Sequence, residues 1–128
     1  MKIVMSIKPE FANRIFSGEK EYEYRKKPFR KNISSVLVYA SAPVKMVIGE
    51  FSVKQIMTDN PEIIWEKTRT KSGITYDYFR QYFKDSSQAT AIQVEKAVRF
   101  NRLQQLSDFG IKRPPQSFCY LCYLGDDE

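Results

Sequence analysis

Two long stretches of this sequence alternate between apolar and polar residues. In residues 46–57, the apolar Phe51 and Val53 are separated by polar neighbours. Residues 89–100 repeat the pattern, with four apolar positions expected to face inward: Ile92, Val94, Val98 and Phe100. Successive side chains of a β-strand point to opposite faces of its sheet, so both stretches predict long, half-buried strands. Strands that are not regularly separated by helices favour a small mixed barrel over a doubly wound sheet.

Shorter segments complete an α+β order of five to six strands with flanking helices. Residues 2–7 and 36–40 are rich in aliphatic side chains and predict buried strands. Pro9 and Gly18 bound a predicted helix over residues 9–17, because proline suits the first turn and glycine suits the residue after the last. Further helices are predicted at residues 60–67 and 75–83, a single turn at 103–106, and a final strand at 117–124. We expect residues 1–128 to form one domain.

Composition narrows the classes of protein to which the chain can belong. With 128 residues and 42% hydrophobic residues, it can close a modest core. It has no apolar run long enough to span a membrane, and its N-terminal apolar stretch is too short for a signal peptide, so we expect a cytoplasmic location without membrane attachment. The chain has no histidine, which excludes Ser-His-Asp and Cys-His catalysis. Any acid–base chemistry falls to Glu, Asp, Lys or Tyr.

The two cysteines, Cys119 and Cys122, have the spacing of half a zinc or redox site. On the predicted final strand, this spacing points the two side chains to opposite faces of the sheet. The chain has no second cysteine pair and no histidine to complete a zinc site. We therefore expect two core thiols, and no metal or cofactor.

Positive charge is concentrated in the first part of the chain. Residues 1–54 contain 11 Lys and Arg against 5 Asp and Glu, whereas residues 55–128 contain 10 of each class. The densest stretch is residues 20–31. A localised basic patch is the usual footprint of a protein that binds phosphate backbones. The alternative is a solvated basic loop that serves only solubility.

Residues 21–25 alternate acidic and aromatic side chains, which predicts a strand with two differently lined faces. One face carries Tyr22 and Tyr24, and the other carries Glu21, Glu23 and Arg25, with Lys20 just before them. Carboxylates beside Lys and Arg are expected to stay ionised and to form a paired network. The alternative is a surface ladder of ion pairs that contributes little to stability.

The segment around this strand resembles the signature of the ASCH domain family. The family's pattern G-x-K-x-x-E-x-R is met by Gly18, Lys20, Glu23 and Arg25. The similarity continues at residues 6–9, 36–43, 47–51 and 114–118, and so extends over essentially the whole chain. It is nearest to bacterial and archaeal proteins described as predicted transcriptional regulators with a PUA-like domain, although this chain lacks the helix-turn-helix that some of them carry. The resemblance implies a PUA-like pseudobarrel.

The resemblance also implies a cleft between the first helix and the barrel mouth, where RNA or a modified nucleotide binds. The residues that it assigns to nucleic-acid binding are Lys8, Lys20, Glu23, Arg25, Lys26, Tyr39, Ser41, Gln116 and Ser117. Lysine and arginine can grip phosphate, a carboxylate can accept from a base amino group, and tyrosine offers a stacking surface. RNA or a nucleotide-like ligand is therefore the expected partner, with a regulatory role. The sequence leaves the oligomeric state open.

Several other functions remain open. As a hydrolase of RNA or acylated nucleosides, the protein would use Glu23 as general base and Lys20 as electrostatic stabiliser. One branch of the family consists of amidohydrolases with a threonine nucleophile where this chain has Glu23, and a glutamate cannot replace it in acyl transfer. A metal-assisted nuclease could take oxygen ligands from Glu21, Glu23 and Glu50. A regulatory or protein-binding domain with a vestigial cleft is the last alternative.

Aromatic residues cluster in the predicted helix at residues 75–83. They are Tyr76, Tyr78, Phe79, Tyr82 and Phe83. Such a cluster can form a base-stacking platform, but helical spacing favours a face that packs on the core.

Overall fold

Six strands and three α-helices make up residues 1–121, the part of the chain that this computed structural model describes. The strands are β1 (Lys2–Ile7), β2 (Tyr22–Arg25), β3 (Ser35–Ala40), β4 (Met46–Asp59), β5 (Ala89–Gln104) and β6 (Phe118–Tyr120). The helices are α1 (Pro9–Ser17), α2 (Pro61–Thr68) and α3 (Tyr76–Tyr82), with 3₁₀ turns at Arg69–Lys71 and Leu106–Phe109. Across residues 1–121, none of the helices has the length and apolar character needed to cross a membrane.

The strands form one mixed sheet in the order β2-β5-β4-β3-β1-β6. β1 and β3 are parallel, and the other neighbouring pairs are antiparallel. A parallel pair needs a long crossover connection, which here contains α1 and β2. The curled sheet and its flanking helices confirm the predicted α+β class and the PUA-like pseudobarrel.

The helices begin and end where local sequence signals place them. Gly18 ends α1 in the left-handed conformation, with φ of 89°, and its N–H donates to the Ile15 carbonyl. The Asn60 side chain accepts from the Glu62 N–H at the start of α2. The Thr75 side chain caps α3 in the same way. The three predicted helices are therefore confirmed to within about a residue at their ends.

Three apolar clusters stabilise the sheet. The main core packs α1 against the sheet and includes Ile3, Met5, Phe11, Ile15, Val36, Val38, Phe51 and Ile92. A second cluster lies under α2 and α3 and includes Tyr24, Ile64, Phe79 and Phe83. The third, here called the outer cluster, includes Val4, Leu37, Tyr39, Val47 and Leu121. Residues of β1 and β3 alternate between the main core and the outer cluster, so both faces of these central strands are buried.

The inward position predicted for Val98 is wrong, because the pairing of β4 with β5 is irregular. Ser52 pairs with Lys96, but Val53 pairs with Val94, which leaves one extra residue on β5 between them. An extra residue reverses the alternation of side chains beyond it. Ala97 therefore packs on the main core and Val98 is 50% exposed.

The chain beyond β5 also differs in detail from the prediction. β5 continues to Gln104, and the turn predicted at residues 103–106 lies later, at Leu106–Phe109. Cys119 lies on β6 as a half-buried free thiol beside the outer cluster, and burial raises its pKa. Cys122 lies outside the described residues, as do the last positions of the predicted final strand.

Candidate functional site

The two edge strands of the sheet, β2 and β6, approach each other at Arg25. The Arg25 Nε donates to Ser117 Oγ, just before β6, at 3.0 Å. Its Nη2 donates to the carbonyl of Ser6 in β1, the neighbour of β6, at 2.9 Å. One side chain from the β2 edge thus spans the seam where the curled sheet nearly closes. The elements around this seam position the candidate site.

The remaining bonds of Arg25 fix its orientation on β2 itself. Its Nη1 donates to Glu23 Oε2 at 2.6 Å and to the Tyr24 carbonyl at 2.7 Å. A guanidinium has five N–H donors in a rigid plane, and Arg25 uses four of them on protein acceptors. Arg25 is therefore built into the framework of the site.

Lys20 is almost completely buried, with 1% of its surface exposed. Its Nζ donates to the Ser72 carbonyl at 2.8 Å and lies 3.6 Å from Glu23 Oε1. The same nitrogen lies over the ring of Tyr24, 4.8 Å from its centroid, and 5.6 Å from that of Phe11. Burial lowers the pKa of Lys20, and the charge of Glu23 offsets part of this effect. The predicted network of Lys20, Glu23 and Arg25 is present and buried.

The segment before α3 covers Lys20 from outside. Gly73 has φ of +68°, and a Cβ at this position would clash with Lys20 Cβ. The Gly73 carbonyl accepts from Arg14 Nη1 at 2.8 Å, which ties the segment to α1. Only glycine permits this close approach, because the conformation and the contact both exclude a larger side chain.

A cavity of about 340 Å³ opens beside this network, between α1, α3 and the segment before β6. Most of the residues predicted for nucleic-acid binding line it: Lys8, Lys20, Glu23, Arg25, Ser41, Gln116 and Ser117. They come from four separate parts of the chain, and the fold brings these parts together around the cavity. The lining also contains residues that sequence reasoning did not assign to the site, namely Ser6, Ile7, Phe11, Tyr24, Ile74, Tyr78, Tyr82 and Phe83.

Two tyrosines of α3, Tyr78 and Tyr82, give the cavity an aromatic wall. Lys8 Nζ lies 5.4 Å from the Tyr78 ring centroid, and Lys26 Nζ lies 5.2 Å from that of Tyr82. The Tyr78 ring also packs edge-on against Phe11, with centroids 5.0 Å apart. Burial raises the pKa of the Tyr82 hydroxyl. The i to i+4 spacing of these two tyrosines is visible in the sequence and could have indicated a shared wall of a site. The same spacing is equally typical of a helix face that packs on the core.

The aromatic residues of α3 divide between the two roles considered for them. Phe79 and Phe83 are buried in the second cluster, as helical spacing favours. Tyr78 is 36% exposed beside the cavity, and Tyr76 is 37% exposed outside its lining. One helix thus packs on the core with one flank and presents ring surface to the cavity with the other.

Two of the predicted binding residues do not line the cavity. Tyr39 packs in the outer cluster and borders a different groove, so its predicted place in the cleft is wrong. The cause is strand alternation, because Val38 and Ala40 face the main core and Tyr39 must point away from it. Lys26 lies at the rim, where it contacts the ring of Tyr82.

The three carboxylates considered as metal ligands pair with different cations. Glu21 lies 3.5 Å from Lys71 Nζ, and Glu50 lies 2.9 Å from Lys2 Nζ, whereas Glu23 belongs to the buried network. β2 begins one residue after Glu21, although the Glu21 carbonyl still accepts from the Val94 N–H of β5. Between residues 1 and 121, no three His, Cys, Asp or Glu side chains are grouped so that they could hold a metal ion.

Comparisons with known proteins agree with the fold and the motif. The family model of the ASCH domain matches residues 5–101. Over 122 residues, the chain is 31% identical to a Zymomonas mobilis protein named ASCH domain-containing ribonuclease, covering 92% of this chain and 82% of that protein. The crystal structure of ASCH from Zymomonas mobilis superposes with a TM-score of 0.87 at 27% identity, over 98% of this chain and 91% of that one.

A further match involves a much longer protein. Over 120 residues, the chain is 28% identical to the ATP synthase subunit alpha of Ureaplasma parvum. The match covers 93% of this chain but only 15% of that protein. The likeness is therefore to a small part of the longer chain.

Proposed function

This chain belongs to the ASCH domain family, and we propose that it binds RNA by taking one nucleotide into the cavity at the seam. The observation that carries the proposal is the cavity itself, in which the rings of Tyr78 and Tyr82 adjoin lysine, serine and glutamine side chains. Its volume of about 340 Å³ falls within the range of about 300–1,000 Å³ common for small-ligand sites. The ribonuclease name of the Zymomonas mobilis relative supports RNA as the ligand.

Each part of the lining suits one part of a nucleotide. Stacking of a base on an aromatic ring contributes about 1–3 kcal/mol, which Tyr78 or Tyr82 can supply. Gln116 and Ser41 offer donors and acceptors to a base edge or a ribose hydroxyl. Lys8 at the start of α1 and Lys26 at the rim supply positive charge for the flanking phosphates.

Lys20, Glu23 and Arg25 have a different role in this proposal from the direct contact expected from the sequence. Four Arg25 donors and the Lys20 ammonium already bind protein acceptors, so a ligand phosphate would compete with strong internal contacts. These contacts support a positioning role, in which the network holds β2, β1 and the segment before β6 in place around the ligand.

Fluorescence anisotropy with a labelled, short single-stranded RNA tests the proposal. Tyr78→Ala is expected to weaken binding by about 5- to 150-fold, the equivalent of one lost stacking contact. Tyr76→Ala is the matched control, because Tyr76 lies on the same helix with nearly equal exposure but outside the cavity lining. Equal losses in both variants, or no RNA affinity in the unaltered protein at low ionic strength, would overturn the proposal.

A second candidate function is hydrolysis of RNA, which the ribonuclease name of the relative favours. In this reaction, Glu23 would remove the proton of a 2′-hydroxyl. The 2′-oxygen would then bond to phosphorus as the bond to the 5′-oxygen breaks, and the 5′-oxygen would take up a proton. Water would open the resulting 2′,3′-cyclic phosphate in a second step, which completes the hydrolysis. Lys20 would stabilise the charge that develops on the phosphate. Both Glu23 oxygens already lie against Lys20 or Arg25, so this route requires one of these contacts to open.

The same labelled RNA separates binding from hydrolysis when the products are resolved by gel electrophoresis. Hydrolysis predicts cleavage by the unaltered protein, with loss of cleavage but retained binding in Glu23→Gln. Parallel reactions with Mg²⁺ and with a chelator show whether a metal takes part, and acylated nucleosides test the amidohydrolase alternative. If the RNA is bound but stays intact at high protein concentration, the function is recognition of RNA and not its hydrolysis.

The proposal also covers the location of the protein and its role in the cell. We propose that residues 1–128 act as one domain in the cytoplasm, and that RNA binding serves regulation, including regulation of transcription. The concentration of positive charge in residues 1–54 supports a nucleic-acid partner. Sequencing of RNA cross-linked to the protein in cells tests this role, and recovery of no RNA above a Tyr78→Ala control would contradict it.

A further inference from the structure

The loop that follows β2 contains four cations and no acidic residue. We call residues 26–31 the basic loop; its cations are Lys26, Lys27, Arg30 and Lys31, and all four residues are exposed. The sequence contains no Asp or Glu between Glu23 and Glu50. Within residues 1–121, none of the four cations forms an ion pair, whereas Arg14, Arg69 and Lys71 do. The positive charge of the loop is therefore open to an anionic partner.

The backbone of the basic loop is nonetheless held in place. The Phe29 ring packs edge-on against Phe118, with centroids 4.8 Å apart. The backbone N–H of Arg30 donates to the Tyr120 hydroxyl at 3.1 Å, and Ile33 is buried in the main core. A loop that is already ordered loses little conformational entropy when it binds a partner. Its cations are thus presented on a fixed backbone.

The two ends of the loop adjoin two different depressions. At one end, Lys26 Nζ lies over the ring of Tyr82, which lines the cavity at the seam. At the other end, Lys31 and Phe29 border a groove of about 430 Å³ that also contains Lys54. Five residue steps separate Lys26 from Lys31, which span at most about 18 Å. The basic loop therefore connects the cavity to the groove over a distance that a short strand of RNA can cover.

We propose that the basic loop guides the phosphate backbone of single-stranded RNA from the cavity to this groove. The inference rests on the proposed function, because it takes the cavity as the site of one unpaired nucleotide. It adds that the natural ligand is a strand of several nucleotides, whose flanking phosphates bind Lys27, Arg30 and Lys31. An acidic protein segment also fits a row of cations, but it leaves the tyrosine wall beside Lys26 without a role.

The test measures how tightly two variants of equal net charge bind ligands of increasing length. The loop variant is Lys27→Gln with Arg30→Gln and Lys31→Gln. The control variant is Lys67→Gln with Lys84→Gln and Arg102→Gln, which removes three exposed cations outside the loop, none of them ion-paired within residues 1–121. The ligands are a mononucleotide and a series of single-stranded RNAs, measured by calorimetry and anisotropy at several salt concentrations.

We expect the affinity of the unaltered protein to rise with RNA length and to level off within the range of about 4–16 nucleotides common for single-strand sites. The loop variant should bind the mononucleotide as before but lose the gain with length. Its salt dependence, as the slope of log K against log salt, should become less steep by about 2, since each phosphate contact contributes about 0.7. The control variant should keep both the gain with length and most of the slope.

Three results would overturn the inference. One is equal affinity of the loop and control variants for the longest RNA, and another is competition by polyglutamate as effective as that by RNA. The third is loss of mononucleotide binding in the loop variant with an unchanged melting temperature, which would make the loop part of the cavity site. Failure of the proposed function looks different, because the unaltered protein would then bind no RNA of any length.

Discussion

At the scale of single residues, the main feature is an ammonium group buried beside the candidate site. Lys20 lies among aromatic rings with one carboxylate and one backbone carbonyl as polar partners. A buried ion pair contributes little net stability, but removal of one partner leaves the other uncompensated and is strongly destabilising. Here Glu23 lies between two cations, Lys20 and Arg25, so loss of Lys20 still leaves it paired. A variant at Lys20 can therefore be used to measure how the ionisation of this lysine contributes to stability.

The lowered pKa of Lys20 predicts a pH dependence of stability with a definite sign. Between its folded pKa and the ordinary value of 10.5, the unfolded chain binds the proton more tightly than the folded protein. The free energy of unfolding therefore rises with pH in this window. We expect the unaltered protein to gain stability relative to Lys20→Met as the pH rises toward 10.5, measured by urea unfolding at a series of pH values.

The comparison with a variant is needed because tyrosines act in the opposite direction. Burial raises the pKa of Tyr24 and Tyr82, so their titration lowers stability at alkaline pH in every variant. Lys67→Met serves as the control for the replacement of a lysine by methionine, since Lys67 is exposed. A difference for Lys20→Met that stays flat or falls with pH would contradict the prediction.

The chemistry of the motif residues could be predicted from the sequence, but their partners could not. Alternation and the motif indicate that Lys20, Glu23 and Arg25 lie together, which the ion pairs show. The carbonyls of Ser72 and Ser6 that also bind them come from distant parts of the chain and depend on the curl of the sheet. Any residue type can supply a backbone carbonyl, so these contacts could not be predicted from the sequence.

At the scale of elements, the segment between α2 and α3 determines how the cavity wall meets Lys20. Gly73 lies against the Lys20 side chain with φ of +68°, and its carbonyl binds Arg14 of α1. The segment thus joins the helical insert to the helix that forms the other wall of the cavity. A change at Gly73 should affect both stability and ligand binding.

Gly73→Ala is predicted to be more destabilising than the same change at Gly110. Both glycines have positive φ, at which alanine is disfavoured by about 1–2 kcal/mol. Gly110 has no atom within 4 Å of a Cβ at its position, whereas at Gly73 the Lys20 side chain would have to move. Chemical unfolding should show a loss of about 1–2 kcal/mol for Gly110→Ala and a clearly larger loss for Gly73→Ala. Equal losses of stability in the two variants would show that the Lys20 side chain can move away from an alanine at position 73 without strain.

Helix boundaries followed closely from local signals, whereas the face on which a strand residue lies followed from alternation only where the pairing of the strand is regular. Proline and glycine predicted the ends of α1, and in the structure the side chains of Asn60 and Thr75 cap the starts of α2 and α3. The inward position expected for Val98 failed because β5 has an extra residue between its pairs with Ser52 and Val53, and an alternating apolar pattern does not reveal such a shift of register. The same limit applies to α3, where tertiary contacts decide which flank of aromatic residues is buried.

At the scale of the whole molecule, the fold is a sheet whose two edges are fastened by one side chain. Unpaired strand edges are a liability, and closure into a barrel is one way to remove them. Here β2 and β6 share no ladder in the strand order, and the guanidinium of Arg25 connects the edges by bonds to Ser117 and Ser6. The candidate cavity lies at this junction, so the shape of the cavity and the closure of the sheet depend on the same contacts.

Arg25→Lys therefore tests the integrity of the whole fold. An ammonium retains the charge beside Glu23 but cannot reach four acceptors in one plane, so the bonds across the seam are lost. Hydrogen bonds to a charged group contribute about 1.5–3 kcal/mol each, and we expect a loss of stability of about 2 kcal/mol or more in thermal or urea unfolding. Arg99→Lys is the control, since Arg99 is exposed with a single side-chain bond to Asn13, and should change stability by less than about 1 kcal/mol.

Hydrogen exchange would show where the stability lost in Arg25→Lys resides. If Arg25 fastens the seam, the amides of β2 and β6 should exchange faster in Arg25→Lys than those of β3 and β4, because the central strands keep both neighbours. RNA should slow this exchange in the unaltered protein, since a ligand that bridges the seam stabilises the closed sheet. A uniform increase over all strands would instead mean that Arg25 contributes to global stability without a special role at the seam.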